Sequence, residues 1–350
     1  MLSQHRRALH RIPELDRTLP DTAAYLRNVL MPLPCRVFSP WEDAVCAYFD
    51  FGRENTVAFR SDMDALPVTE QTGLAFASCH AGRMHACGHD GHMAILLGLA
   101  EHLAAHPAQS NVLLIFQPAE ETTGGAEAIC QSGILTQYRV RCIYGLHLWP
   151  ELPKHTVASR AGGMMARSCE LTAEIVGKSV HIARPHEGAD ALSAAARLIC
   201  AAEALTRETP CLLRFGRMES GEARNSISGF SRLEGTMRCF DDALLAAVWQ
   251  SLAVRAKEIE SETGCTVRLS RSSGYPPVTN DAALLARARE RFPVREVEPT
   301  YITEDFSCYQ TRVAGVFFLL GTGGEALHSP RFDFDEAVLE TGLSLFRALL

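Results

Sequence analysis

No apolar run in this chain approaches the roughly 18 residues that a helix needs to cross a bilayer, so a membrane span is not expected. Lys/Arg-rich runs are also missing and the formal charge is −7, which argues against a nucleic-acid binder. The opening "MLSQHRRALHRIPELD" has the Arg6-Arg7 pair but no apolar core behind it, so it does not read as a secretion signal. Repeats and low-complexity tracts are absent, and "GTGGEALH" holds glycines without a phosphate-loop pattern. These absences leave a soluble, cytoplasmic protein with neither nucleic acid nor membrane as partner. What is present is bulk: 350 residues, 47% of them hydrophobic, too many for one typical core and enough for two domains. The 12 cysteines are scattered through that length rather than spaced as a disulfide framework. Most are expected to be buried thiols, with room for one that does chemistry.

Hydrophobic patterning divides the chain. Early on, helical runs ("LSQHRRALHRIPEL", "DTAAYLRNVL" with Asp21 as N-cap, "GHDGHMAILLGLAEHLAAH", "AEAICQSGILTQ") alternate with strand-like runs ("AVCAYFDF", "TVAFR", "NVLLIFQ", "CIYGLHLW"). That alternation predicts an α/β layer on a largely parallel sheet, and the unbroken apolar "NVLLIFQ" predicts a strand covered on both faces. Residues 169–272 instead read β-α-β-β-α-β, the ferredoxin-like order. "SGYPPVTND" reads as a hinge, after which the first style resumes. The expected organisation is a discontinuous first domain, 1–165 and 276–350, interrupted by a second, 166–275.

Chemistry-bearing residues gather where buried strands end. "TVAFR" runs into Ser61-Asp62-Met63-Asp64, "NVLLIFQ" into Pro118-Ala119-Glu120-Glu121, "CIYGL" into His147, and "GVFFLLGTGGEAL" into His328. In open α/β sheets, ligands bind beyond the carboxyl ends of the strands, so distant segments deliver these groups to one edge. "MHACGHDGH", residues 84–92, precedes a helix and can reach the same edge. Cys87, His89, Glu121, His147 and His328 make a mixed sulfur, nitrogen and oxygen set that suits Zn²⁺ or a similar transition ion better than Ca²⁺ or Mg²⁺. Taken singly, a histidine after a strand is usually a hydrogen-bonded surface residue and "EE" a solvated turn. Convergence is what favours a metal. Two buried adjacent carboxylates without a cation would carry a severe desolvation cost.

The segments "RRALHRIPEL", "FRSDMDALPVTEQTG", "GRMHACGHDGHMAILLGLA", "LLIFQPAEETTGGAEA", "YGLHLWP", "VHIARPH", "NSISG", "GTMRCFD", "TEDFSCY", "LLGTGG" and "HSPRFDFDE" span nearly the whole chain. Together they resemble the metal-dependent aminoacylase–carboxypeptidase amidohydrolases, a family with hippurate-, indoleacetyl-amino-acid- and N-acetyldiaminopimelate-hydrolysing members. The resemblance implies a zinc-peptidase-like catalytic domain with a mixed, largely parallel sheet. It also implies an inserted ferredoxin-like lid that dimerises. It implies two divalent ions per subunit, zinc, manganese, cobalt or nickel, held by Cys87, His89, Glu121, His147 and His328. Glu120 matches the general base and Asp64 an acidic residue beneath the metals. His181 matches a lid histidine that reaches the scissile carbonyl from the partner subunit, and Asn225 and Arg238 match lid residues for substrate or structure. Asp90 is expected to stand behind the ligands, and His85 and His92 to pack or hydrogen-bond nearby. His186 is expected to be structural.

Two departures fall in the expected lid. Gly177-Lys178-Ser179 stands where the family usually has "GKG", and "NSISG" where it usually has "NVIPD". They leave the metal chemistry untouched and open the choice of substrate. The implied reaction is hydrolysis of an N-acyl amino acid to a carboxylic acid and a free amino acid. A dipeptidase or carboxypeptidase using the same site is the alternative, and a noncatalytic binding relative a more distant one.

Overall fold

The computed structural model describes residues 1–350. The chain divides into two units, one of residues 1–164, 278–298 and 305–350, the other of 165–277 and 299–304. The short excursion 299–304 was expected in the first unit. It belongs to the second because Ala166 donates its N–H to the carbonyls of Thr300, at 3.1 Å, and Ile302, at 3.0 Å.

The first unit is built on a seven-stranded sheet. Edge to edge it runs Arg36–Phe38, Val45–Phe49, Asn111–Gln117, Thr56–Asp62, Val140–Trp149, Ala314–Gly321 and Val157–Ala158. The four strands from Asn111–Gln117 to Ala314–Gly321 are parallel, and the flanking strands run antiparallel. Every residue of Asn111–Gln117 is buried, as its unbroken apolar run requires. The helix His89–Ala105 is apolar nearly all round and correspondingly buried. Leu2–His10 and Val338–Ala348 pack against it.

Three local expectations change. Asp21 is not an N-cap: Leu19 takes that position before Pro20–Leu30, and the Glu14 carboxylate accepts the N–H groups of Asp21, at 3.3 Å, and Thr22, at 2.9 Å. "AEAICQSGILTQ" forms two helices, Gly125–Gln131 and Ile134–Gln137, separated at Gly133, whose φ of 81° is left-handed. His147 lies inside its strand, not after it.

A buried ionic network ties the first helix to the start of the long one. Arg6 donates to Asp90 at 3.3 Å, to Asp333 at 2.5 Å and to the Phe334 carbonyl at 3.1 Å. His10 donates through Nδ1 to Asp90 at 2.8 Å and through Nε2 to Glu70 at 3.3 Å. With a carboxylate on each nitrogen, His10 is an imidazolium. Burial opposes that charge, but Asp90 and Glu70 outweigh it and raise the pKa to about 9.

The second unit carries a four-stranded antiparallel sheet in the order Thr266–Arg271, Arg167–Val176, Phe230–Cys239, Cys211–Ser220. The helices Ala191–Thr206 and Asp242–Thr263 complete the β-α-β-β-α-β order. Both helices start on an aspartate whose side chain accepts from the first turn, Asp190 and Asp241, and the second ends on left-handed Gly264. Leu198, Leu213, Leu233 and Leu252 centre its core.

The His10 network predicts an alkaline loss of stability. The folded pKa of about 9 lies above the ordinary 6.5, so the stabilisation is complete below the lower value and disappears as pH rises through the higher. The wild-type melting temperature should fall between about pH 7 and pH 9.5 by the equivalent of roughly 2 kcal/mol. His10→Gln should start lower and fall less. Parallel melting curves for the two proteins over that range would disprove the assignment.

Candidate metal centre

Three tight backbone features set the site. Gly88, at φ 84°, joins Cys87 to the helix that begins at His89. A Cβ there would also come within 2.9 Å of Leu148 Cδ1, so a larger residue would be strained in the turn and crowd that leucine. Ala119, at φ 61°, turns the chain out of Asn111–Gln117 just before Glu120 and Glu121. His328, at φ 65°, donates its N–H to the Ala86 carbonyl at 2.8 Å, which brings its loop beside Cys87. Left-handed backbone at a residue other than glycine is uncommon and clusters at functional sites.

Asp64 is fully buried and organises what these turns deliver. One carboxylate oxygen accepts the Glu120 N–H at 3.1 Å and the other the Glu121 N–H at 3.0 Å. Its backbone carbonyl accepts His89 Nδ1–H at 2.8 Å. Burial pushes the Asp64 carboxyl up, and the nearby Glu121 charge adds to that.

The donor atoms converge. Ligand atoms of Cys87, His89 and Glu121 all lie within 4.8 Å of one another. Cys87 Sγ is 3.4 Å from His147 Nε2, and Glu121 Oε1 is 3.4 Å from His328 Nε2 and 3.8 Å from His89 Nε2. The histidine tautomers follow from their other nitrogens. His89 Nδ1 donates to the Asp64 carbonyl and His147 Nδ1 to the Leu148 carbonyl at 2.7 Å, so in each ring Nε2 is the nitrogen left facing the cluster, open to a metal ion or a second proton. His89 Nε2 and Glu121 Oε1 are buried without a hydrogen bond.

Electrostatics favours a cation here. Burial pushes the Cys87 thiol well above its ordinary range, and Glu121 and Glu120 push it further. Burial would lower His89, yet Asp62, Asp64 and Glu121 raise it to about 10. Burial would raise Glu121, yet His328 and His89 hold it at about 2. Protein groups alone thus satisfy the cluster only by collecting protons, and a divalent ion competes for the same lone pairs. Sulfur, nitrogen and oxygen donors together fit a borderline transition metal.

Asp62, His89, His92 and His147 also lie within 4.8 Å of one another. His92 is nevertheless committed elsewhere: Nδ1 donates to Asp62 Oδ1 at 2.6 Å and Nε2 accepts the Leu148 N–H at 2.9 Å. Behind Asp62, Arg60 donates to Asp62 at 2.9 Å, to Gln117 at 2.9 Å and to Asp305 at 2.7 Å. Asp305 also accepts from Gln117 and from the Ala126 N–H at 3.0 Å.

Of the residues expected from sequence, Cys87, His89, Glu121, His147 and His328 come together, with Glu120 and Asp64 adjoining. Asp90 does not touch them: its Oδ2 accepts from Arg6 and His10, and its Oδ1 is buried without a partner. Asp62 stands behind the ligands instead, and sequence reasoning missed it together with Arg60, Gln117 and Asp305. The alternation Asp62-Met63-Asp64 at a strand end was the available signal. His85 is buried and neither ring nitrogen has a partner. His181, Asn225 and Arg238 lie in the second unit. His181 and Asn225 are exposed on neighbouring segments, joined where Ile182 donates to the Asn225 carbonyl at 3.0 Å. His181 Nδ1 accepts the Ala183 N–H at 3.2 Å, which leaves the proton on Nε2. Arg238 pairs with Glu170 at 3.2 Å. His186 is exposed.

Fold and cluster together define a metal-dependent hydrolase. The profile of peptidase family M20/M25/M40 matches residues 58–350. An N-acetyldiaminopimelate deacetylase of Streptococcus uberis is 35% identical over 363 residues, covering 99% of this chain and 96% of its own. That of Bacillus subtilis is 35% identical over 353 residues, with coverages of 97% and 94%. A solved Bacillus subtilis structure, described as a dinuclear metal binding peptidase of the M20 family, superposes with a TM-score of 0.90 at 31% identity, over 99% of this chain and 96% of its own. The chain belongs to peptidase family M20/M25/M40, and it is an amidohydrolase.

The Asp64 clamp yields a prediction. In Asp64→Asn one backbone N–H must face an amide NH₂ instead of an oxygen. Metal retained after dialysis should then correspond to an affinity about 10–100-fold weaker, the usual effect of disturbing groups that orient ligands. Wild-type metal content by elemental analysis would show that the clamp does not order the centre.

Proposed function

We propose that this chain hydrolyses the amide bond of N-acyl amino acids, N-acetyl or N-benzoyl substrates among them, and releases a carboxylic acid and a free amino acid. The observation that carries the proposal is the pair Glu120 and Glu121, both suspended from Asp64, with Glu121 inside the donor cluster. Cys87, His89, Glu121, His147 and His328 would hold two divalent ions, zinc, manganese, cobalt or nickel. Bound metal supplies Lewis acidity and a water whose pKa lies near neutral. Glu120 takes a proton from the attacking water and delivers it to the nitrogen of the leaving amine. His181, with its proton on Nε2, donates to the carbonyl oxygen as negative charge develops there. We assign this donation to a homodimer in which the second unit serves as lid, with Asn225 and Arg238 binding the substrate. The deacetylase names of the relatives support an N-acetyl substrate. A dipeptidase would use the same groups on a peptide bond. All twelve cysteines are free thiols, which fits a reducing compartment, and we assign the protein to the cytoplasm. No helix is long and apolar enough to cross a membrane.

Three measurements test this reading. Glu120→Gln should keep its metal and fold and lose at least about 100-fold in kcat on whichever N-acyl amino acid of a panel is turned over fastest. Near-normal turnover would remove Glu120 from the mechanism. Chelation should abolish activity, and Zn²⁺, Mn²⁺ or Co²⁺ should restore it; Cys87→Ala at unchanged metal content and rate would make the thiol a packing residue. His181→Ala and Glu120→Gln should each be nearly inactive alone. Mixed under verified subunit exchange, they should regain activity in about a quarter of all sites, since random pairing puts both defects in one site of each hybrid. No recovery would rule out action across the dimer.

A further inference from the structure

We propose that His92 is a positioning residue for the metal centre: it holds the backbone on which His147 is mounted, through the Leu148 N–H. The inference rests on the reading of His147 as a ligand. His92 sits one helical turn beyond His89, fully buried, with its ring centroid 4.6 Å from that of His147.

The argument starts from the sheet. The strand Val140–Trp149 is paired with Thr56–Asp62 only as far as Gly145, opposite Arg60. On the other side its pairing with Ala314–Gly321 continues to Trp149. Leu148 is therefore beyond the reach of the first neighbour, and a buried N–H there needs another acceptor. His92 Nε2 supplies it at 2.9 Å. That N–H belongs to the peptide joining Leu148 to His147, so the bond orients the segment that carries the His147 side chain. The carbonyl of the same Leu148 takes the His147 Nδ1 proton at 2.7 Å, which leaves His147 Nε2 bare beside Cys87. Leu148 is thus held at both ends, one end facing each histidine.

His92 can accept only if its proton is on Nδ1. Asp62 sets this: its Oδ1 takes Nδ1–H at 2.6 Å, and its Oδ2 is held by Arg60 at 2.9 Å. Arg60 is in turn anchored on Gln117 and Asp305. A buried relay therefore runs from Arg60 through Asp62, His92 and the Leu148 backbone to His147. A ring that only filled space would need neither nitrogen, and a ring that bound metal would need one of them uncommitted.

The test uses the protein loaded with Co²⁺, read by its visible spectrum and by competition with a chelating dye. His92→Phe keeps the ring and removes both nitrogens. It should weaken one of the two Co²⁺ sites about 10–100-fold and change the spectrum. His92→Gln, which can still accept and donate, should stay within about threefold of wild type, a rescue that a space-filling role would not produce. Wild-type Co²⁺ affinities and spectrum in His92→Phe overturn the proposal. His147→Ala separates it from the reading beneath: if that variant binds both ions normally, His147 is no ligand and the reading itself fails. Should His92→Phe not fold, ¹⁵N-histidine spectra of the Zn²⁺-loaded wild-type protein decide. A His92 with its proton on Nδ1 and a metal-free Nε2 supports the relay, and a protonated or metal-bound Nε2 overturns it.

Discussion

The centre depends on one buried carboxylate. Asp64 spends both oxygens on consecutive backbone N–H groups, those of Glu120 and Glu121, and its own carbonyl on His89. Two strand ends and a helix start are thereby fixed to a single residue. Neighbouring glutamates on a flexible turn would repel each other and swing into solvent. Suspended by their N–H groups, their chain path is set, and side-chain rotation alone separates their roles. The cost is a buried acid whose own pKa rises, and a nearby cation offsets it.

Around Asp64 the first unit buries more charge than a core normally accepts. Arg60, Asp62, Gln117 and Asp305 form one hydrogen-bonded set under the carboxyl ends of the strands. Arg6, His10, Asp90 and Glu70 form another at the start of the long helix. Such groups are tolerable only when nearly every donor and acceptor is paired, and breaking one pairing strands its partner at low dielectric. The metal cluster differs in that unpaired buried atoms of two separate donors, His89 Nε2 and Glu121 Oε1, face each other at 3.8 Å. That convergence of open donor atoms distinguishes a binding centre from a structural network.

Strain marks the same places. Ala119 and His328 adopt left-handed backbone without being glycine, and Gly88 makes its left-handed turn without the strain and the Leu148 contact that a side chain would bring. Each lies within two residues of a donor. The surrounding contacts, from the Ala86 carbonyl to the Asp64 carboxylate, hold these conformations in place.

Much of this was legible beforehand. The unbroken apolar "NVLLIFQ" announced a strand covered on both faces, and the alternation of strands with helices announced the α/β layer. The order of elements after residue 169 announced the second unit. The donor residues were visible because strand ends in a parallel sheet share an edge, whatever loops follow. Other features needed the tertiary structure. Asp62 and Asp64 are two residues apart with the same chemistry; only packing sends one to His92 and the other to two backbone N–H groups. Asp90 and His92 are separated by a single residue, yet the helix turns Asp90 toward Arg6 and His10. It turns His92 toward the strand, where Leu148 has outrun its neighbour. Sequence by itself determined which groups were available at the edge. Which of them bind, which orient and which merely balance charge was decided by hydrogen-bond partners far away in the chain, because a side chain's role follows from what its second polar atom is already bonded to.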